Sequence, residues 1–225
     1  MKPRAYVLVL MVAVAGAHLA DLNERASAVR HFAWSKTPDL DRIERYGPPG
    51  VEACFWRGNG DREALVRALM TVESFATPRF EAWWKTAIVR AGALLGLPIP
   101  DLTYGPGRVR LSTADAAIRA NDETANDAKL ATRLLDSCET KRIVAAVVAQ
   151  ILNAEERGDQ AHLDLAAVRT VARIYNGQSE ALSPEAAVAH ETYDALVYAL
   201  FQRYRFAALG NSVVGRGRHR LVARD

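Results

Sequence analysis

The sequence has few of the residues that hold metals or build disulfide-rich domains. It contains two cysteines, Cys54 and Cys138, and five histidines scattered along 225 residues. Because no cysteines and histidines are spaced as metal ligands are, we expect no structural metal and no cofactor. The two cysteines can pair in an oxidising compartment, and buried free thiols are the alternative. Their spacing does not decide between the two.

Alternating runs of β-branched residues are also scarce, and glycine and proline fall between segments of helical periodicity. Half of the residues are hydrophobic, and alanine is abundant among them. This pattern predicts a mainly α-helical fold with one domain of ordinary size. The net charge of +3 is mild, and the sequence has no basic helix face and no DNA-binding motif. We therefore expect no nucleic-acid partner.

The one long apolar run stands at the amino terminus, where Lys2 and Arg4 precede residues 6–17. A basic start, a short apolar run and an Ala-x-Ala ending are typical of a secretory signal. The run is shorter than the roughly 20 residues of a transmembrane helix. We expect residues 1–20 to be a signal peptide or signal-anchor of an exported, periplasmic protein, with the inner membrane as a partner if the segment is kept. A buried first helix is the alternative.

The rest of the chain divides into a connector, a helical domain and a tail. Residues 21–60 are polar and end in a stretch rich in glycine and proline, which predicts a connector. Residues 211–225 are rich in arginine and predict a basic, flexible tail. Between them, residues 61–210 form the predicted domain. Its predicted helices cover residues 61–77 (capped by Asp61), 78–95, 141–157 and 165–175. Another begins at Ser112 or Thr113, and a last one begins at Ser183 and runs through Tyr204.

The helix predicted over residues 61–77 ends with an acidic residue on its apolar side. Val66, Leu69, Met70 and Glu73 stand at i, i+3, i+4 and i+7, so they share one face. Burial raises the pKa of a carboxyl, because a low-dielectric environment opposes ionisation. Glu73 is therefore a candidate for an acid that is still protonated near neutral pH, and a solvated or salt-bridged glutamate at a helix end is the alternative.

Three short segments follow one another in an order that resembles a known family of glycan-cleaving enzymes. They are Glu73-Ser74, then Gly105-Pro-Gly-Arg-Val109 ahead of a Ser-Thr-Ala, and then Ala172-Arg-Ile-Tyr-Asn-Gly177. The order is similar to that of the lysozyme-like lytic transglycosylases, a group that includes the soluble lytic transglycosylase type and the goose-type lysozymes. The family pattern is a helix ending in Glu-Ser, a Gly-x-x-Gln-Ile segment and an Ala-x-x-Tyr-Asn-x-Gly segment. Arg108 stands where the family usually has glutamine, so we expect a divergent relative.

The resemblance implies a lysozyme-like fold and cleavage of the bond between N-acetylmuramic acid and N-acetylglucosamine in peptidoglycan glycan strands. Glu73 would protonate that bond and then take a proton from the muramyl 6-hydroxyl, which closes a 1,6-anhydro ring. Hydrolysis generally needs a second carboxylate, for which Asp101 and Glu81 are the candidates. Trp83 and Trp84 offer faces on which sugars can stack. The substrate-binding residues implied by the resemblance are Ser74, Thr103, Gly105, Gly107, Arg108, Tyr175 and Asn176.

Other classes of function stay open beside the enzymatic one. In this sequence Gly177 follows Asn176 directly, whereas the family often has one residue between them. This departure and Arg108 also fit a glycan-binding protein whose catalysis is impaired. A purely structural, membrane-anchored helical protein is a further alternative, and it predicts no pocket at Glu73. The arginine-rich tail motivates a nucleic-acid-associated helical protein, which the missing basic footprint disfavours.

Overall fold

The structure is a computed structural model that describes residues 16, 20, 39–45, 47, 54, 60–119, 126–177 and 191–207. The described chain is mainly α-helical, which confirms the predicted fold class. Its elements are α1 (Leu40–Glu44), α2 (Asp61–Ala76), α3 (Arg79–Leu95), β1 (Thr103–Tyr104), β2 (Val109–Arg110), α4 (Leu111–Arg119), α5 (Asp127–Leu135), α6 (Ser137–Ala154), α7 (Leu165–Tyr175) and the helical residues 191–207, here α8.

Most of the predicted signal segment and connector, and the whole of the predicted tail, lie outside the described residues. Within the described ranges, no helix has the length and apolar character that a membrane crossing requires. The start predicted for the last helix, near Ser183, also lies outside them.

The core forms around α6, which packs against α2, α4, α5 and α7. Its apolar residues recur at helical spacing, and Val144, Val148 and Leu152 are fully buried. Helix α2 supplies a second buried face, as its periodicity predicts, and Leu69 and Met70 on that face have no exposed surface. The apolar side of α8 completes the same core.

Helix α2 begins one residue away from where its sequence predicts, since Gly60 and not Asp61 is its N-cap. Asp61 lies buried in the first turn, where it accepts a hydrogen bond from the main-chain N–H of Leu163 at 2.8 Å. Its other carboxylate oxygen lies 3.1 Å from Arg205 in α8. Asp61 therefore links three parts of the fold, a role that only the tertiary structure defines.

Two other helix starts also differ from the prediction. Helix α4 begins at Leu111, so Ser112 lies inside it, and Asp101 accepts the Ser112 N–H at 2.9 Å in place of a local cap. Helix α6 begins at Ser137 instead of residue 141, because the Asp136 side chain accepts two N–H groups of its first turn. It also ends earlier, at Ala154. The ends of α2, α3 and α7 follow the prediction.

Cys54 and Cys138 form a disulfide with a Cα–Cα distance of 5.3 Å. The structure thus pairs the two cysteines that the sequence left undecided. The carbonyl of Cys54 also accepts a hydrogen bond from Lys141 of α6 at 2.6 Å, and Lys141 pairs with Glu63 of α2. These contacts tie Cys54 to α6, and α6 to the first turn of α2.

A short hairpin joins α3 to α4 and holds its turn tightly against α5. Strands β1 and β2 are antiparallel, with Thr103 opposite Arg110. At the turn, Gly105 has a φ of 68°, and a Cβ there would lie 1.7 Å from the carbonyl oxygen of Leu134. Both the backbone conformation and the close approach therefore require glycine at this position.

Replacing Gly105 with alanine is expected to lower the free energy of unfolding by about 2–4 kcal/mol, since left-handed strain and a steric clash add together. Gly96 is the matched control, because it has a φ of 65° and open space around it. Gly96→Ala should cost only the strain, about 1 kcal/mol. Urea unfolding of both variants measures the difference, and equal losses would contradict the steric argument.

Candidate active site

Glu73 lies in the last turn of α2 with its side chain turned into the protein. It is 5% exposed, on the same buried face as Leu69 and Met70, as the spacing predicts. The helix ends at Ala76 because Thr77 takes an extended conformation ahead of Pro78. The carboxyl therefore stands at the boundary between the core and the chain segments that follow α2.

Two side chains from distant parts of the chain contact the Glu73 carboxyl. The Tyr193 hydroxyl, on α8, donates a hydrogen bond to Glu73 Oε1 at 2.6 Å. On the other oxygen, Arg108 Nε lies 3.9 Å from Glu73 Oε2. Desolvation by burial raises the pKa of Glu73, and it outweighs the hydrogen bond from Tyr193 and the charge of Arg108, which both lower that pKa. Glu73 thus tends to hold a proton at a pH where an exposed glutamate has lost it.

Two tyrosines that are affected by the charge of this carboxyl keep their hydroxyl protons. The Tyr175 hydroxyl donates to the carbonyl oxygen of Gly107 at 2.6 Å. Burial, and after it the negative charge of Glu73, raises the pKa of Tyr175 and of Tyr193 well above the ordinary value. Both phenols are therefore hydrogen-bond donors throughout the physiological pH range. One donates to the carboxyl, and the other donates to the hairpin turn at residues 105–107, here called the glycine turn.

Arg108 connects Glu73 to a second carboxylate. Its Nη2 lies 3.4 Å from Glu81 Oε1, and Lys85 Nζ lies 2.7 Å from the same oxygen. Lys85 also donates to the Thr103 hydroxyl at 2.9 Å. The backbone of Arg108 has a φ of 46°, in the left-handed region that residues with a side chain seldom adopt. The turn therefore holds a strained residue whose guanidinium stands between two carboxylates.

A cleft of about 560 Å³ opens beside these residues, which is within the range of ligand sites in proteins. Ser74, Thr103, Gly105 and Arg108 contribute to its walls, together with residues of α3. The Ser74 hydroxyl donates to the Pro106 carbonyl oxygen at 3.0 Å, which fixes the turn to the end of α2. The carboxyl of Glu73 lies behind Arg108 and not in the wall of the cleft.

The structure brings together most of the residues that the sequence singled out. Gly107 faces Val144, whose Cγ2 would lie 2.6 Å from a Cβ added at this glycine. Asn176 is exposed at the C-cap of α7, and, like Gly107 and Tyr175, it does not line the cleft. The Asp101 carboxylate accepts hydrogen bonds from the main-chain N–H and the hydroxyl of Ser112 at the start of α4, so it does not lie opposite Glu73. Glu81 lies nearer to Glu73, on the other side of the Arg108 guanidinium.

The two tryptophans of α3 differ in their surroundings. Trp83 is 66% exposed, and its ring stacks on that of Phe80 with 5.9 Å between centroids. Trp84 is partly buried, and Lys85 Nζ lies 5.9 Å from its ring centroid. The exposed pair stands on the same helix that supplies Arg79 to the cleft wall. Helix α3 thus carries an exposed aromatic surface as well as part of the cleft wall.

Sequence reasoning missed Tyr193 and Lys85 as site residues. Tyr193 belongs to the apolar stripe of the last helix, and it lies 120 positions from the carboxyl that it contacts. Lys85 stands four residues after Glu81 on α3, and this i,i+4 spacing of opposite charges was the available signal. No spacing rule connects either residue to Glu73, because the contacts depend on how α2, α3 and α8 pack.

Comparisons with protein-family models, curated proteins and solved structures found no match to the chain. The resemblance to lytic transglycosylases therefore depends on three short segments of the sequence.

Replacing Tyr193 with phenylalanine should raise the pKa of Glu73 further, because the lost hydroxyl stabilises the ionised carboxylate. Carbon-13 NMR of labelled glutamate carboxyls, followed against pH, measures this shift. Tyr198→Phe on the same helix is the matched control, since the Tyr198 hydroxyl accepts a hydrogen bond from Gln202. An unchanged Glu73 titration in Tyr193→Phe would contradict the described contact.

Replacing Glu73 with glutamine should make stability less dependent on pH. The folded pKa of Glu73 lies above the ordinary value of 4.5, so the folded state binds the extra proton between those two values. The wild type then loses stability as pH rises through that window. Glu73→Gln should be the more stable protein at pH 7.5, and the difference should disappear near pH 4. Urea unfolding at both pH values tests this, and a wild type favoured at pH 7.5 would overturn it.

Proposed function

We propose that this protein is a divergent lysozyme-like lytic transglycosylase that cleaves the glycan strands of peptidoglycan, with Glu73 as its general acid and base. One observation carries the proposal: a buried carboxyl with a raised pKa stands at the end of a core helix, beside a glycine turn and a cleft. The order of the Glu-Ser, Gly-Pro-Gly and Tyr-Asn-Gly segments supports it. Metal and cofactor play no part in this chemistry.

The first step needs Glu73 in its protonated form. Its proton moves to the bridging oxygen as the bond from that oxygen to the muramyl anomeric carbon breaks. The N-acetylglucosamine side leaves as an alcohol, and Glu73 becomes a carboxylate. The Tyr193 hydroxyl stabilises the anion that forms.

The second step uses the same group as a base. The Glu73 carboxylate takes the proton of the muramyl 6-hydroxyl, whose oxygen bonds to the anomeric carbon and closes the 1,6-anhydro ring. Glu73 regains its proton, and no water is consumed. A positioned acid or base of this kind typically contributes about 10²–10⁴-fold in rate.

The glycine turn serves this chemistry as a rigid wall. Tyr175 holds it through the Gly107 carbonyl oxygen, and Ser74 holds it through that of Pro106. Of its two glycines, Gly105 lines the cleft, and a side chain at either glycine would meet Leu134 or Val144 inside the protein. The exposed Phe80 and Trp83 rings offer a stacking surface for sugars that extend beyond the cleft.

The non-hydrolytic route is preferred because no second carboxylate is free to activate water among the described residues that carry the site. Glu81 is engaged by Lys85 and Arg108, and Asp101 holds the start of α4. The proposed substrate lies outside the inner membrane, so the proposal includes export, with residues 1–20 as signal or anchor. The disulfide fits an oxidising compartment.

A glycan-binding protein with impaired catalysis is the second candidate. The observation that favours it is the Arg108 guanidinium beside Glu73, since a nearby cation opposes the protonated form of a carboxyl. A purely structural role gives no reason for a buried carboxyl beside a cleft.

Replacing Glu73 with glutamine should reduce the release of anhydromuramyl fragments from purified peptidoglycan by at least about 100-fold, because the amide cannot transfer a proton. Mass spectrometry of the digests identifies the new ends. Glu155→Gln, at an exposed position after α6, is the control and should keep wild-type activity. Undiminished cleavage by Glu73→Gln would refute the assignment, and ends without the anhydro ring would show hydrolysis instead.

A further inference from the structure

The charge of the cleft goes beyond what bond cleavage itself requires. Its described lining includes basic side chains and no carboxylate. The basic residues are Arg45, Arg79, Lys85 and Arg108. A neutral saccharide gains little from such a lining, whereas an acidic one is attracted by it. The basic lining therefore favours an acidic saccharide over a neutral one.

We propose that Arg108 is the specificity-determining residue of the cleft, and that it binds a carboxylate of an acidic glycan and leaves Glu73 as it does so. The inference rests on the proposed function and deepens it, because it names the part of the substrate that is recognised. In peptidoglycan strands that have lost their stem peptides, this group is the free lactyl carboxylate of muramic acid.

The contacts of Arg108 with its two carboxylate partners are long for an ion pair. Its guanidinium is 3.9 Å from Glu73 and 3.4 Å from Glu81, whereas strong pairs of this kind lie near 2.8 Å. The side chain is also 30% exposed, on the cleft side. A carboxylate in the cleft can accept two parallel hydrogen bonds from such a guanidinium, a geometry in which arginine exceeds lysine.

Neither carboxylate is left unsupported when Arg108 turns to the ligand. Glu81 keeps its ion pair with Lys85 at 2.7 Å. Glu73 keeps its hydrogen bond from Tyr193 at 2.6 Å, and it loses the cation that favours its ionised form. Burial then acts on Glu73 with less opposition, so that binding of an acidic glycan prepares the protonated acid. Arg108 thus couples recognition to catalysis.

The test uses one glycan in two charge states. Strands freed of stem peptides carry free lactyl carboxylates, and carbodiimide coupling to ammonia converts these to neutral amides. The wild type should cleave the acidic strands with a kcat/KM about 10- to 100-fold higher than the amidated strands. Arg108→Gln should bring that ratio close to one, and Arg108→Lys should keep part of it. Arg110→Gln is the matched control, because Arg110 is exposed on the same hairpin and outside the cleft wall.

Binding measurements keep the inference testable if a variant loses activity. Calorimetry with Glu73→Gln and with the Glu73→Gln/Arg108→Gln double variant should show preference for the acidic strands in the first protein alone. A wild type that cleaves both strands equally, or Arg108→Gln that retains the full ratio, would overturn the role of Arg108 and leave the proposed function intact. A wild type that cleaves neither kind of strand, but still binds the acidic strands more tightly, would refute the proposed function. The carboxylate-binding role of Arg108 would then stand without it.

Discussion

A carboxyl that is buried at the end of a core helix costs free energy whenever it is ionised, and the fold of this protein keeps one there. Leu69, Met70 and Glu73 share the face of α2 that packs into the core. The helix cannot turn that glutamate toward water without also exposing its apolar neighbours. The position of Glu73 is therefore set by hydrophobic burial of the whole helix, which is far larger than the cost of one carboxyl.

The second constraint is the hairpin turn that brings Arg108 to the carboxyl. Gly105 and Gly107 approach neighbouring atoms so closely that neither accepts a Cβ. The turn is also fastened on two sides, by Ser74 from α2 and by Tyr175 from α7. Because the turn is held in this way, Arg108 stays in a backbone conformation that it would seldom adopt in a free loop. Strain is thus concentrated at the residue that faces the carboxyl.

Much of the fold follows from local signals in the sequence, and the exceptions have a common physical reason. Gly96 and Pro78 mark helix ends through their own backbone preferences, so α2 and α3 end where predicted. The roles of Asp61 and Asp101 were missed because their partners lie on other elements. Periodicity predicts which residues share a helix face, but it does not predict which residues of other elements pack against that face.

The same limit applies to α3, whose apolar residues suggest a buried helix. Only Lys85, Val89 and Gly92 of this helix are buried, and Trp83 and Leu94 are largely exposed. The site around Glu73 shows the same limit of helical periodicity. Glu73 was found because burial of a carboxyl is visible in helical spacing, whereas Tyr193 was not, since its contribution is a hydroxyl at the end of an ordinary core side chain.

The two partners of Glu73 differ in a way that bears on how a general acid can work beside a cation. Tyr193 is neutral and close, at 2.6 Å, whereas Arg108 is charged and more distant, at 3.9 Å. The close contact fixes the orientation of the carboxyl, and the distant one mainly sets its charge state. Removing the cation would therefore alter protonation and leave the geometry in place. In the proposed reaction Glu73 acts first as an acid and then as a base, so its orientation and its charge must be controlled separately. The two contacts provide this separation.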